Sequence, residues 1–258
     1  MAYEGATVAP SLRLEDIPPL GCELVLTEPA EEGEKLILLP PELCIQAPSG
    51  AMLGLDELCP EDVRLAAHIL LEYDGQAFWE PYLASLPSPE ELKGLLPIFW
   101  DDAQLAGVSP PLPTLAAQVE SRRRLLREAS KQLGLDFDRL AWAHALVSTR
   151  AVGAGIDACA FLPGVDMANH DPSPNAELVV AGTPGLAIGR ATVVSTGDVW
   201  EHGSAGLVAK RDIQPGEPVR ISYGGYPNQR LLLDYGFSLG ASNPHGEEEA
   251  WDPAEEQR

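Results

Sequence analysis

The chain has 258 residues, 45% of them apolar, and a formal net charge of -22 at pH 7. That length and apolar fraction suffice for a sizeable core in one large domain or one domain with an insertion. The charge argues against direct contact with nucleic acid or an anionic membrane, serves solubility, and favours cationic partners such as a Lys-rich peptide.

The N-terminus, Met1-Ala-Tyr-Glu-Gly5, has no basic region followed by an apolar core, and no apolar run reaches the length of a membrane span. A soluble, monomeric, intracellular protein is expected, cytoplasmic or nuclear. The first 35 residues are not the Ser/Arg-rich, acid-poor composition of a transit peptide, and a plastid location stays open only if such a peptide was removed. Short apolar runs at Glu23–Thr27 and Lys35–Leu39, separated by the turn-forming Glu31-Glu-Gly-Glu34, predict a β-hairpin. From Pro60 the pattern becomes helical, with Pro60 suited to a first turn and acids behind it. Further helices are predicted at 101–107, 114–133 and 138–150. Asp136 and Asp138 are candidate caps of the last, where Trp142, Leu146 and Arg150 share one stripe. Strands return at Cys159–Leu162, Ala176–Ala181, Leu186–Ile188, Ala191–Val194, Leu207–Ala209 and Val219–Ser222.

This order of β, α and β predicts an α+β chain in which a β-rich domain is interrupted by a helical insertion. The expected parts are residues 1–59, the insertion 60–150, the returning β segment 151–246, and an acidic tail 247–258 expected to be disordered. The four cysteines, Cys22, Cys44, Cys59 and Cys159, show no pairing or zinc-ligand spacing, so neither a disulfide framework nor a structural metal is expected.

Two segments carry the chemistry. In Phe161-Leu-Pro-Gly-Val-Asp-Met-Ala-Asn-His170, an apolar strand breaks at Pro163 and runs into Asp166, Asn169 and His170. Alone, it reads as a capped turn with His170 satisfied locally. A rival reading makes Asp166, His170 and Asp171 metal ligands, but no further His or acid stands at ligand spacing. The second segment, Gly216-Glu-Pro-Val-Arg-Ile-Ser-Tyr-Gly224 followed by Asn228 and Leu231-Leu-Leu-Asp-Tyr-Gly-Phe237, reads as a strand, a Gly-rich turn, a short helix and an aromatic pair.

Together the two segments resemble SET-domain methyltransferases, in the branch of the plant Rubisco large-subunit lysine methyltransferases with a helical insertion. The resemblance runs from about Leu20 to Gly246. It rests on Leu162-Pro163-x-x-Asp166-x-x-Asn169-His170, Gly216-Glu217, Ile221-Ser-Tyr-Gly224, Asn228, Tyr235-Gly-Phe237 and Asn243-Pro244. Phe78-Trp-Glu-Pro-Tyr-Leu-Ala-Ser-Leu-Pro87 and Thr149-Arg150 also look like that branch. The resemblance implies a β-rich SET domain of short strands, a knot-like C-terminal arrangement, S-adenosyl-L-methionine as cofactor, and a protein substrate presenting a lysine. It implies that Asn169 and His170 hold the cofactor, together with Gly21 and Leu24 of the N-terminal turn, and that Tyr223 is catalytic and borders the cofactor. Arg150 would lie near the cofactor carboxylate, although a cation also suits a helix C-terminus electrostatically. Thr149, Asp166, Tyr235 and Phe237 would meet the substrate, the last two as aromatic walls of a lysine channel.

The sequence departs from the branch in two places. The usual Gly-x-Gly-Leu turn is Gly21-Cys-Glu23-Leu24 here, so a carboxylate stands where the second glycine is expected and would strain or block a close backbone approach. The plant enzymes also continue into a helical C-terminal domain, which is not evident after Pro244, so substrate recognition is expected to differ. Two alternatives accompany the lysine reading: a histidine acceptor, and a non-catalytic interaction module on the same fold.

Overall fold

The computed structural model describes residues 5–17, 21–56, 58–73, 77–108, 112, 114–153, 159–182, 192–195 and 203–245. The expected strand at Leu186–Ile188 and the acidic tail lie outside them. The chain divides into two compact units, one of residues 1–46 and 150–224, the other of residues 47–149 and 225–258. Of the described residues, those between 47 and 59 and those from 225 to 245 fall in the second unit, while the sequence pattern places boundaries at 59/60 and 150/151.

The first unit is built from short strands: β1 (Thr7–Val8), β2 (Leu12–Ile17), β3 (Gly21–Leu26), β4 (Lys35–Leu39), β5 (Ile45–Gln46), β6 (Val152–Gly153), β7 (Cys159–Phe161), β8 (Asn169–His170), β9 (Ala176–Gly182), β10 (Thr192–Ser195), β11 (Ala205–Ala209) and β12 (Arg220–Ile221). They form a five-stranded sheet in the order β1-β4-β11-β9-β10, a sheet β5-β7-β6, and the pairs β2-β3 and β8-β12. β11 lies between two neighbours and is apolar along nearly its whole length, with Leu207 fully buried, as are Leu26, Leu36 and Ile213 elsewhere in the unit. Such a run, without polar alternation, is what a strand covered on both faces requires.

The predicted hairpin does not form. β3 and β4 are both strands, but β3 pairs antiparallel with β2, with Leu14 opposite Leu24. β4 pairs with β1 and β11 instead. The connection is pinned elsewhere: Ala30 bridges Ile213, and the Gly33 amide donates to the Ala209 carbonyl at 2.8 Å. It therefore runs along residues 209–213, and its tight turn at Glu31–Glu34 does not bring β3 and β4 together as a pair. β2 escapes a periodicity reading because Arg13, Leu14, Glu15 and Asp16 are all exposed, so neither face alternates with a buried one.

The second unit holds α1 (Gly50–Leu53), α2 (Glu61–His68), α3 (Glu80–Leu83), α4 (Pro89–Lys93), α5 (Asp102–Ala106), α6 (Leu115–Leu133), nearly all of α7 (Phe137–Arg150) and α8 (Asn228–Tyr235). These helices are fixed by local signals. Ser88 with Glu91, and Asp101 with Gln104, form reciprocal capping boxes at the starts of α4 and α5. Asp136 accepts from the Arg139 amide at 3.0 Å and caps α7. Leu115, Val119 and Leu126 fall on one buried stripe of α6, and Leu233 of α8 joins Leu115 and Val119 in the core. Trp142 of α7 anchors the unit through its indole nitrogen, which donates to the Pro87 carbonyl at 3.0 Å. Among the described residues no helix is long and apolar enough to cross a membrane.

Candidate functional site

The Asn169–His170 segment is delivered by a constrained turn. After β7 the chain passes through Gly164, at φ 85°, into the 3-10 turn Val165–Met167. Asp166 locks this turn: its amide donates to the Leu162 carbonyl at 3.0 Å, and its carboxylate accepts from the Gly164 amide at 2.9 Å. Arg150 reaches over from the end of α7. It donates to the Asp166 carbonyl at 3.3 Å and lies 3.5 Å from the Asp166 carboxylate, which is wholly buried. A buried carboxylate so engaged stabilises the turn, and a partner cation offsets its desolvation.

Beyond that turn β8 pairs in parallel with β12, Asn169 opposite Arg220 and Ile221 opposite His170. Two residues past β12 comes Tyr223. Its amide donates to His170 Nδ1 at 3.0 Å, and its hydroxyl donates to the Ala168 carbonyl at 3.0 Å. The two rings face each other with centroids 5.3 Å apart. Because Nδ1 accepts a backbone N–H, that nitrogen carries no proton, and the neutral ring holds its proton on Nε2. Tyr223 is thus fixed by its backbone amide and by its side-chain hydroxyl to the segment that carries Asn169 and His170.

The N-terminal turn joins the same assembly. Asn169 Nδ2 donates to the Cys22 carbonyl at 3.0 Å. Gly21 opens β3, and the Leu24 carbonyl accepts from the Val219 amide at 2.7 Å while the Leu24 side chain is buried. Glu23 lies within a regular strand, so its backbone is extended. The residue is 3% exposed, and its carboxylate accepts from Arg220 Nη2 at 2.8 Å. Arg220 Nη1 in turn lies 3.5 Å from Asp171.

Asn175 is the buried hub beneath this arrangement. It donates to the Glu217 carboxylate at 3.1 Å and the Pro218 carbonyl at 2.8 Å, and accepts from the Arg220 amide at 2.8 Å. The hydrogen bond from Arg211 holds the Glu217 carboxyl down to about 2, with bonds from the Gln214 amide and Asn175 adding to the effect. Arg220, Asn175 and the Ala168 carbonyl are functional groups that the motif reading did not single out. Nothing in the local sequence marks Asn175 or Arg220, because each acts on residues far along the chain.

The second unit carries Thr149, Tyr235 and Phe237. The Thr149 hydroxyl bonds back to the Ala145 carbonyl at 2.9 Å, an ordinary helix contact. The Tyr235 and Phe237 rings stand 6.1 Å apart, tilted by 50°. Gly236 between them is at φ 77°, and a Cβ there would come within 2.9 Å of the Leu95 carbonyl, so no other residue fits. Asn228 and Asn243, both motif residues, form a buried amide pair at 3.1 Å; Asn228 also bonds Gly240 and Leu239, and Asn243 bonds the Tyr226 carbonyl. Their role is to hold the loop after α8. The same unit has a groove of about 600 Å³ walled by Phe99, Phe137 and Trp142 with Lys93, Arg123 and Arg139. Among the described residues, no three His, Cys, Asp or Glu side chains gather as a metal site, and Asp166, His170 and Asp171 do not converge as one.

Against known structures this geometry matches the SET domain of LSMT bound to methyl-lysine and S-adenosylhomocysteine, with a TM-score of 0.68 and 18% identity over 92% of this chain and 54% of that one. The chain has the SET-domain fold. Rubisco LSMT bound to S-adenosylmethionine matches at a TM-score of 0.64 and 16% identity over 92% of this chain and 54% of that one. By sequence the chain is homologous to human SET domain-containing protein 4, 26% identical over 94% of this chain and 57% of that protein. It spans roughly half the length of the proteins it matches. No family model matches.

Proposed function

We propose that the chain is an S-adenosylmethionine-dependent protein methyltransferase that alkylates a lysine side chain. The observation that carries this reading is the double anchoring of Tyr223, amide to His170 Nδ1 and hydroxyl to the Ala168 carbonyl, each at 3.0 Å. A hydroxyl that gives its proton to a carbonyl presents its own lone pairs outward. The Tyr223 oxygen and the Ala168 carbonyl together form an acceptor pair of fixed direction. Such a pair suits the N–H bonds of a neutral primary amine and leaves the amine lone pair free to attack.

The residues present fit the cofactor. Asn169 and His170 sit on a two-residue ladder, with the Cys22 backbone drawn against them by the Asn169 amide. These are polar main-chain and side-chain groups held by partners 53 and 147 residues away in sequence. The chemistry that S-adenosylmethionine would supply there is an electrophilic methyl on a sulfonium, whose bonding pair would leave with sulfur as the amine takes the methyl. The chain does the rest by positioning. A lysine arriving as an ammonium must lose a proton to solvent first, and removal from water lowers its pKa. Tyr235 and Phe237 are proposed as the aromatic walls for that step and Thr149 as a further substrate contact; the motif resemblance and the aromatic pairing support this. Asp166 and Arg150 are assigned to holding the turn. A protein with a net charge of -22 draws a cationic substrate segment.

The test is Tyr223→Phe, which keeps the ring and loses the acceptor. Methylation of an extract with labelled cofactor should fall by about 100-fold, in line with removal of one positioned polar group, while calorimetric S-adenosylhomocysteine affinity stays within about threefold. Undiminished methylation by the variant would remove Tyr223 from the reaction.

A further inference from the structure

Glu23 is a charged residue inside a strand, 3% exposed, and a carboxylate is buried there only if its surroundings compensate it. The compensation comes from Arg220, 197 residues away, at 2.8 Å. β3 is tied to the segment before β12 by backbone contacts that end one residue short of this pair: Val25 bridges Pro218, and the Val219 amide donates to the Leu24 carbonyl at 2.7 Å. At Arg220 the backbone turns away, its amide donating to Asn175 instead. From that point toward Cys22, the links across to the β8-β12 ladder are made by side chains, Glu23 to Arg220 and Asn169 to the Cys22 carbonyl at 3.0 Å. Arg220 also reaches Asp171, the residue after His170, at 3.5 Å.

We infer that the Glu23–Arg220 ion pair is a positioning device that carries on by charge where the backbone ladder stops, holding the Cys22 carbonyl on Asn169 and so setting the shape of the cofactor site. This inference rests on the proposed function. Glu23 acts through Cys22 and Asn169, without touching the reacting atoms. One buried oxygen of the pair, Glu23 Oε2, accepts no hydrogen bond among the described residues, and neither does the Arg220 Nε proton find an acceptor there. The pair is therefore held by one strong charge-assisted bond, and its geometry depends on both charges being present.

The experiment is calorimetric titration of the full chain with S-adenosylhomocysteine, beside its thermal midpoint, for wild type, Glu23→Gln, Glu23→Gly, Arg220→Lys and the charge exchange Glu23→Arg/Arg220→Glu. Glu23→Gln is isosteric and should weaken binding about tenfold at temperatures well below its midpoint; Arg220→Lys should do so by a smaller factor, and the exchange should recover most of the loss. A purely structural pair would lower the midpoint without this loss of affinity in the folded protein. Wild-type affinity in Glu23→Gln and Arg220→Lys overturns the inference, as does tighter binding by Glu23→Gly, which would make the carboxylate an obstruction. Should Glu23→Gln not fold, Arg220→Lys decides. Failure of the wild type itself to bind would overturn the proposed function, and the inference with it, whereas binding by wild type with no effect of the variants sinks the inference alone.

Discussion

Two turns that share a Gly-Glu pair, Glu32-Gly33-Glu34-Lys35 and Pro215-Gly216-Glu217-Pro218, fold alike and serve different ends. In each the glutamate amide donates to the carbonyl three residues back at 3.0 Å, and its carboxylate accepts that residue's amide at 3.1 Å. In each the glycine is left-handed, at φ 83° and 79°. The difference is the second carboxylate oxygen. That of Glu217 takes Arg211 at 2.5 Å and Asn175 at 3.1 Å, which makes the turn a junction under the candidate site. The distant links of the first turn run through its main chain instead, from the Gly33 amide to the Ala209 carbonyl and from the Glu32 amide to the Asp212 carboxylate. Local sequence thus sets the shape of a turn, while its function is decided by which distant donors find the spare acceptor.

The comparison breaks most sharply at Asn175. Asn175→Ala removes three hydrogen bonds from a residue 4% exposed and leaves the Arg220 amide and the Pro218 carbonyl without their partner. It should cost about 3 kcal/mol in urea unfolding. A cost under about 1 kcal/mol would show that the second turn is no junction. Gly33→Ala and Gly216→Ala sharpen the likeness, since neither position has an atom within 4 Å of an added Cβ. Backbone strain alone should then destabilise both by about 1–2 kcal/mol, and a difference beyond about 0.5 kcal/mol would end the equivalence. The smallest effect is on acid stability. The Glu217 carboxyl is depressed to about 2, chiefly by Arg211, so its contribution is complete above its ordinary value of about 4.3 and is lost as pH falls toward 2. Glu217→Gln should flatten that part of the pH–stability curve, whereas Glu34→Gln should leave it in place.

What could be read in the sequence follows the range of the interaction. The helices of the second unit were legible because their caps and stripes lie within one or two turns, as at Asp136 and along Leu115, Val119 and Leu126. The motif residues on β8 and after β12 were legible as a conjunction, but the bonds that make them a site were not. Glu23 stood out as a departure from the expected glycine, yet nothing near it in sequence names Arg220 as its partner. The hairpin was misread for the same reason: β3 and β4 each have the pattern of a strand, and the choice of neighbour depends on residues 209–213, far downstream. The sequence marks Asp166 as a motif residue, whereas its burial and its hold on the turn are visible only in three dimensions.

The two-residue ladder between β8 and β12 has a consequence for how the candidate site forms. It closes a loop of about 50 residues for the return of a few hydrogen bonds, so the entropy of closure outweighs what the ladder alone gives back. Strands β9 to β11 must first assemble and bring the ends together. The candidate site is therefore expected to form after the sheet in folding and to open before it in unfolding, an order that hydrogen exchange at Tyr223 and in β11 would read.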